Sequence, residues 1–198
     1  ANNLKLAGQS VNANISANTV EGDATAGNVA LNSSGTNELM VTNSSAPNGS
    51  FTLNHSGDVV FDTINAQNVT INTTGDITDV ANTIIAQGIT LNGNNILINT
   101  QGQVIVINAQ GNVGITNTVV DVSSLTIDAQ GNVSFGTTGN LAIAQVAGGQ
   151  LVQLTAGGNI SGNPGAFVNG FDVEVLAGGT ITPDLNSPLQ IGATNSIL

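Results

Sequence analysis

The segment VIVINAQGNVGI at residues 104–115 returns twenty residues later as SLTIDAQGNVSF at 124–135. A chain that repeats a strand-turn-strand line at this distance has few ways to fold, because repeats of 20–50 residues stack as solenoids or arrays. The same line can be followed along nearly the whole chain. Segments that read apolar–polar–apolar, then a short polar turn, begin at Leu4, Val29, Phe51, Val69, Ile89, Ile105, Leu125, Val152, Val173 and Leu189, with a mean spacing near 20.6 residues. Two residues after each start stands an apolar side chain: Leu6, Leu31, Leu53, Ile71, Leu91, Ile107, Ile127, Leu154, Val175 and Ile191. A glycine then recurs at Gly35, Gly57, Gly75, Gly111, Gly131, Gly158 and Gly179, and an apolar residue follows it at Val59, Ile77, Val113, Val133, Ile160 and Ile181.

Period-two alternation marks strands with one buried face. A glycine at a fixed place marks either a positive φ or a close backbone approach. Each repeat therefore reads as strand, turn, strand and a variable third side, such as IIAQ at 84–87 or LAIAQV at 141–146. The fold expected is all-β: one continuous right-handed parallel β-helix (a β-solenoid) over residues 1–198, with about ten coils of ~20 residues. Equivalent strands then lie ~4.8 Å apart. Asn54, Asn72, Asn92 and Asn108 fall in one column and should form an amide ladder. Phe51, Phe61 and Phe135 point inward by register. The longer coils carry their extra residues at 42–50 and 137–149, which read as surface loops or bulges.

Composition agrees. Only 7% of residues are charged, against roughly 25% in ordinary domains. Asn, Thr, Ser, Gly, Val and Ile dominate, which favours strands and turns over helices. A net charge of −11 with one Lys and no Arg excludes nucleic acid as a partner, since phosphates must be neutralised by cations. It also disfavours anionic bilayers, and no apolar run is long enough for a membrane helix. The first residues, ANNLKLAGQS, do not read as a signal peptide. With no cysteine, disulfide and thiolate chemistry are absent.

Residues that could carry chemistry are few. Asp58 and Asp76 share a column beside Gly57 and Gly75, with Asp62 and Asp79 nearby. Stacked carboxylates suit a weak Ca²⁺ site or, at retaining-glycosidase separation, catalysis. The turn preference of Asx residues explains them too, because Asn112, Asn132 and Asn159 fill the same column. His55 reads as an exposed turn histidine without partners for metal or triad roles. Lys5 reads as remote from any acid cluster, which removes the base that a β-helical polysaccharide lyase would need. Thr52, Thr70, Thr90 and Thr126 line an outward column broken by Val106, Gln153 and Glu174. Cross-strand stacking accounts for it, and an ice-binding face would need paired Thr-x-Thr rows. The matches to glycosylation acceptors at 14–16, 32–34, 54–56 and 68–70 follow from composition. No catalytic, cofactor-binding or metal residue is expected, and no cofactor.

The lines VTINTTGDI (69–77), FTLNHSGDVVF (51–61), VQLTAGGNISG (152–162) and VEVLAGGTIT (173–182) resemble repeats of filamentous haemagglutinin-like exoproteins, long bacterial β-helical adhesins exported by two-partner secretion. The similarity covers residues 28 to 191. The NPNL and NPNGI motifs of that family's secretion domain are missing, with only GNPG (162–165) and APNG (46–49) near them. The resemblance thus implies a shaft segment, located outside the cell or on the bacterial surface, with a structural or adhesive and non-catalytic role. Two alternatives stand beside it: a subunit of an extracellular filament joined end to end through uncapped terminal coils, and a polysaccharide-binding or polysaccharide-cleaving β-helix. Expected partners are neighbouring coils of the same or an identical chain, and cell-surface glycans.

Overall fold

The computed structural model describes residues 2–118, 121–182 and 189–197. It is an all-β solenoid of about ten turns with about 19 residues per turn. Every strand pairing among the described residues is parallel and joins one coil to the next. Each coil runs through three faces. The first holds Val11–Ile15, Val29–Ser33 and the equivalents at 50–54, 68–72, 88–93, 104–109 and 124–129. The second holds Leu39–Val41, Val59–Phe61, Val113–Asn117, Val133–Thr137 and Leu151–Ala156. The third is shortest, as at 64–66, 84–86 and 141–143.

The alternation that predicts strands also builds the core. Leu31, Leu53, Ile71, Leu91, Ile107 and Ile127 stack in one column and are fully buried. Phe51, Phe61 and Phe135 point inward as expected. One hydrophobic cluster runs from Val11 to Val173. A buried polar ladder joins it where the second face turns into the third. There Thr100 Oγ1 and the Gly102 amide both donate to Asn117 Oδ1 at 2.9 Å, so the carbonyl of this fully buried amide is doubly satisfied.

Beyond Leu125 the repeat alignment read from sequence slips by one face. The column of Leu31 and Ile127 continues through Val146, Val168 and Ile191, whereas Leu154 and Val175 stack under Phe135 on the second face. At the other end Leu4 pairs with Val20 on the second face, and the mate of Val29 is Val11. Gly158 and Gly179 accordingly sit at the corner between the second and third faces, and Ile160 and Ile181 begin third-face strands. The physical reason is that both corners use the same glycine-rich turn, so AGGN at 156–159 looks like the turns of the neighbouring corner. The 27-residue step from Leu125 to Val152 hid the extra face.

The long segments are also more ordered than loops. Ser44–Asn54 is one strand with an irregularity between Ala46 and Ser50, and Asn140–Ala147 buries Leu141, Ile143 and Val146. Coil length varies inside the strands and corners of a continuous stack, from 16 residues between Leu91 and Ile107 to 24 between Asp172 and Ser196.

Because every coil covers its neighbours, a charge in one inward column disturbs the stack on both sides. Ile107→Asp should abolish cooperative folding, and Ile107→Ala should cost about 2–5 kcal/mol. Thermal unfolding followed by far-UV circular dichroism checks both, and an unchanged midpoint for Ile107→Asp would reject this register.

Candidate functional site

Asp58 and Asp76 do stand one above the other, and the structure shows what they do. The Asp76 amide donates to Asp58 Oδ1 at 2.8 Å. Asp76 Oδ1 then accepts from the Asn95 amide at 3.0 Å, from Asn95 Nδ2 at 3.0 Å and from Asn94 Nδ2 at 2.8 Å. The chain of bonds climbs on: Asn112 N donates to Asn95 Oδ1 at 2.8 Å, Asn132 N to Asn112 Oδ1 at 2.9 Å, and Leu151 N to Asn132 Oδ1 at 3.1 Å. In each step a side-chain oxygen accepts the backbone N–H one coil later.

The next corner repeats the device with Asp121, Asn140 and Asn159, whose Oδ1 atoms accept from Asn140 N, Asn159 N and Thr180 N at 3.0, 2.8 and 2.9 Å. At the corner leading into the first face, Asn28 Oδ1 takes the Ser50 amide at 2.9 Å.

The glycines belong to this ladder. Gly165 is the one described glycine with positive φ, so the recurring glycines are needed for close approach. A Cβ on Gly75 would lie 2.4 Å from Asp58 Oδ1, on Gly111 2.3 Å from Asn95 Oδ1, and on Gly179 2.3 Å from Asn159 Oδ1. Each glycine leaves the space through which the oxygen of the coil before reaches the next residue's N–H. The Gly-Asn and Gly-Asp pairs are therefore interlocks between coils, a role that turn preference alone does not reveal.

The asparagine ladder on the first face also forms. Asn54, Asn72, Asn92 and Asn108 each donate through Nδ2 to the Oδ1 of the coil before, at 2.6 to 2.8 Å, starting from Asn32. Thr52, Thr70, Thr90, Val106 and Thr126 line up beside it. Gln153 and Glu174 lie on the second face instead, bonded to each other at 2.6 Å.

Two sequence readings are corrected. His55 is buried rather than exposed (8% accessible). Its Nε2 is 2.8 Å from the Asn37 carbonyl oxygen, which assigns the proton to Nε2 and leaves Nδ1 buried without a partner. The turn folds the ring inward, beside Gly35 and Ser33. Lys5 is not remote from acids: it pairs with Glu21 and lies 3.5 Å from Asp23 Oδ2, both one coil on. The hydrogen bond to Glu21 raises the Lys5 pKa, so the ammonium persists and cannot serve as a general base near neutrality.

Asp62 and Asp79 are likewise used structurally: Asn82 Nδ2 donates to Asp62, and the Asn99 amide and Nδ2 donate to Asp79. Among the described residues no three His, Cys, Asp or Glu side chains gather as a metal site, and no helix is long and apolar enough to cross a membrane.

One concave feature escaped the sequence reading. Ala66, Gln67, Ile85, Ala86, Gln87, Gln101 and Gln103 line a groove of about 460 Å³ where the third face turns into the first. Behind it Ala46, Ala66, Ala86 and Gly102 form a column of small residues that faces the core. The recurrence of Ala-Gln at 66–67 and 86–87 was the available signal, masked by Ala-Gln pairs at other corners.

No family model matches the chain, and no curated protein or solved structure compared with it does so either.

Two tests follow from the interlock. Gly111→Ala collides only with Asn95 and Asn94 side-chain atoms. It should cost about 1–3 kcal/mol in the native chain and far less in an Asn95→Ala background. A double-mutant cycle by urea unfolding reads the coupling, and additivity would contradict the geometry.

The Asp76 carboxyl is held below its ordinary range, first by the Asn95 amide and then by the Asn95 and Asn94 side chains. A depressed folded pKa contributes stability above the unfolded value, lost as pH falls through the folded one. Asp76→Asn keeps an acceptor and should remove this part of the acid sensitivity, whereas Asp76→Ala should lose about 1–2 kcal/mol at neutral pH. Melting curves between pH 7 and roughly pH 2, spanning the carboxylate range, distinguish the three proteins.

Proposed function

We propose that the chain is a structural and adhesive β-solenoid segment of a secreted bacterial surface protein, without catalytic activity of its own. The observation that carries this reading is the fate of the polar side chains. The carboxylates and carboxamides at the corners, which would be the reactive groups of an enzyme built on this fold, accept backbone amides from the following coil. Lys5, the one cation of the side-chain set, is paired with Glu21 and Asp23. Such chemistry suits a stiff spacer that holds its outer faces at fixed height above a cell. The resemblance of the repeat lines to filamentous haemagglutinin-like exoproteins supports the surface location.

A second reading, assembly end to end, is favoured by the core itself. Leu4, Leu6 and Ala13 in the first coil, and Val175, Ala177, Leu189, Ile191 and Ala193 in the last ones, are only partly buried. These half-covered columns accept either further coils of a longer polypeptide or a second copy of the chain.

Two experiments test these readings. Antibodies raised against the chain should label intact cells of the producing organism; label that appears only after permeabilisation overturns the surface assignment. In negative-stain images ten coils should give single rods about 50 Å long. Filaments with an axial repeat near that length would make self-assembly the function in place of the spacer.

A further inference from the structure

The amide side chains of this rod fall into two groups. Asn54, Asn72, Asn92 and Asn108 are bonded along the ladder, and Gln110 and Gln130 bond each other at 3.1 Å at the corner between the first and second faces. Others, among them Gln9, Gln145 and Gln150, make no side-chain bond among the described residues, and four of this second group, Gln67, Gln87, Gln101 and Gln103, gather at one place. All four line the groove over Ala66, Ala86 and Ile85.

From this we infer that the groove is a binding site for a neutral, linear β-1,4-linked glycan lying along the rod axis, an assignment that rests on the adhesive reading above. Three properties select that ligand. Each primary amide offers two donors and an acceptor, which complements hydroxyl groups that both give and accept. The floor presents hydrocarbon mainly through the outward Ile85 side chain, with the edges of the buried Ala66 and Ala86 beside it, at the level where the C–H face of a pyranose ring would rest. No ionised side chain lines the groove, and the chain carries eleven negative charges in excess, so an anionic polymer is repelled.

Spacing adds a further match. Gln67, Gln87 and Gln103 each follow the stacked residues Ala66, Ala86 and Gly102 and so recur one coil apart, at ~4.8 Å. Successive sugars of an extended β-1,4-linked chain advance by a similar step but turn over each time, so the same sugar edge returns at every second coil. Without an aromatic platform each contact is weak, and affinity accumulates along the row and between neighbouring copies on a surface.

The test uses the ¹⁵N-labelled chain titrated with cellohexaose, chitohexaose and mannohexaose, with oligogalacturonate as the anionic control. At least one neutral hexasaccharide should shift the side-chain amide signals of Gln67, Gln87, Gln101 and Gln103, and oligogalacturonate should shift none. Gln67→Ala/Gln87→Ala, both exposed changes, should weaken binding about tenfold or more with an unchanged melting midpoint. Gln110→Ala/Gln130→Ala should leave it unaltered. Silence of the groove amides toward all three neutral probes, or their equal response to oligogalacturonate, overturns the assignment.

Beads coated with the chain separate this failure from failure of the adhesive reading. Beads that hold cells equally well after Gln67→Ala/Gln87→Ala keep adhesion and discard the groove. Beads that hold no cells while the groove amides still shift discard adhesion and keep the glycan site.

Discussion

A parallel stack of coils is held in register by whatever prevents one coil from sliding or rotating over the next. Backbone ladders alone do this weakly, since a strand can pair two residues away at little cost to the pleat. Here the register is locked by a side-chain oxygen that reaches across the interval between coils to one particular N–H, at most steps through the space a glycine leaves open. Asp58, Asp76, Asn95, Asn112 and Asn132 do this in succession at one corner, and Asp121, Asn140 and Asn159 at another. The buried columns on the faces pack well only when these corners are aligned, so the apolar core and the polar corners enforce the same answer.

The lock explains why so much of the fold could be read from residues alone. Strand alternation, the inward phenylalanines and the asparagine ladder are set by side-chain chemistry that recurs at each coil, and chemistry that recurs is visible as a column. What was not visible was which corner a given turn occupies. AGGQ at 147–150 and AGGN at 156–159 are nearly the same words at two different corners, because both must admit an oxygen from the coil before. The slip after Leu125 is therefore a degeneracy of the lock.

His55 was misread for a related reason. Its turn sequence looks like any other, and the reach of Nε2 to the Asn37 carbonyl one coil before, which holds the ring inside, leaves no mark in it. The groove glutamines were overlooked because they form no bonds, and a group that bonds nothing leaves little trace in a repeat alignment.

This division of labour among polar groups shapes the functional reading. Among the twelve acidic side chains, several are held by the next coil: Asp58, Asp76, Asp79 and Asp121 accept its bonds, and Asp172 accepts from Asn195 and Ser196. The last pair holds the Asp172 carboxyl below its usual range, the Ser196 hydroxyl contributing most. These carboxylates keep their charge, and with a net charge of −11 the rod disfavours anionic partners. Contacts made at uncharged stretches such as the groove are instead hydrogen bonds and apolar contacts that depend little on salt.

The interlocks also point one way along the axis. At each step the earlier coil supplies the oxygen and the later coil supplies the N–H, so a finished coil presents a row of waiting acceptors to the segment that follows it. A chain emerging amino-terminus first meets a completed template at every turn and needs to find only contacts about twenty residues back, a short loop to close. Away from these corners the polarity is reversed in places, as where the Gly22 amide donates to Ser44 Oγ and the Gly102 amide to Asn117 Oδ1 of the following coil. The corner locks thus favour winding from the amino terminus, in the order in which the chain is made, and the buried bonds to Ser44 and Asn117 close once the later coil has been laid down.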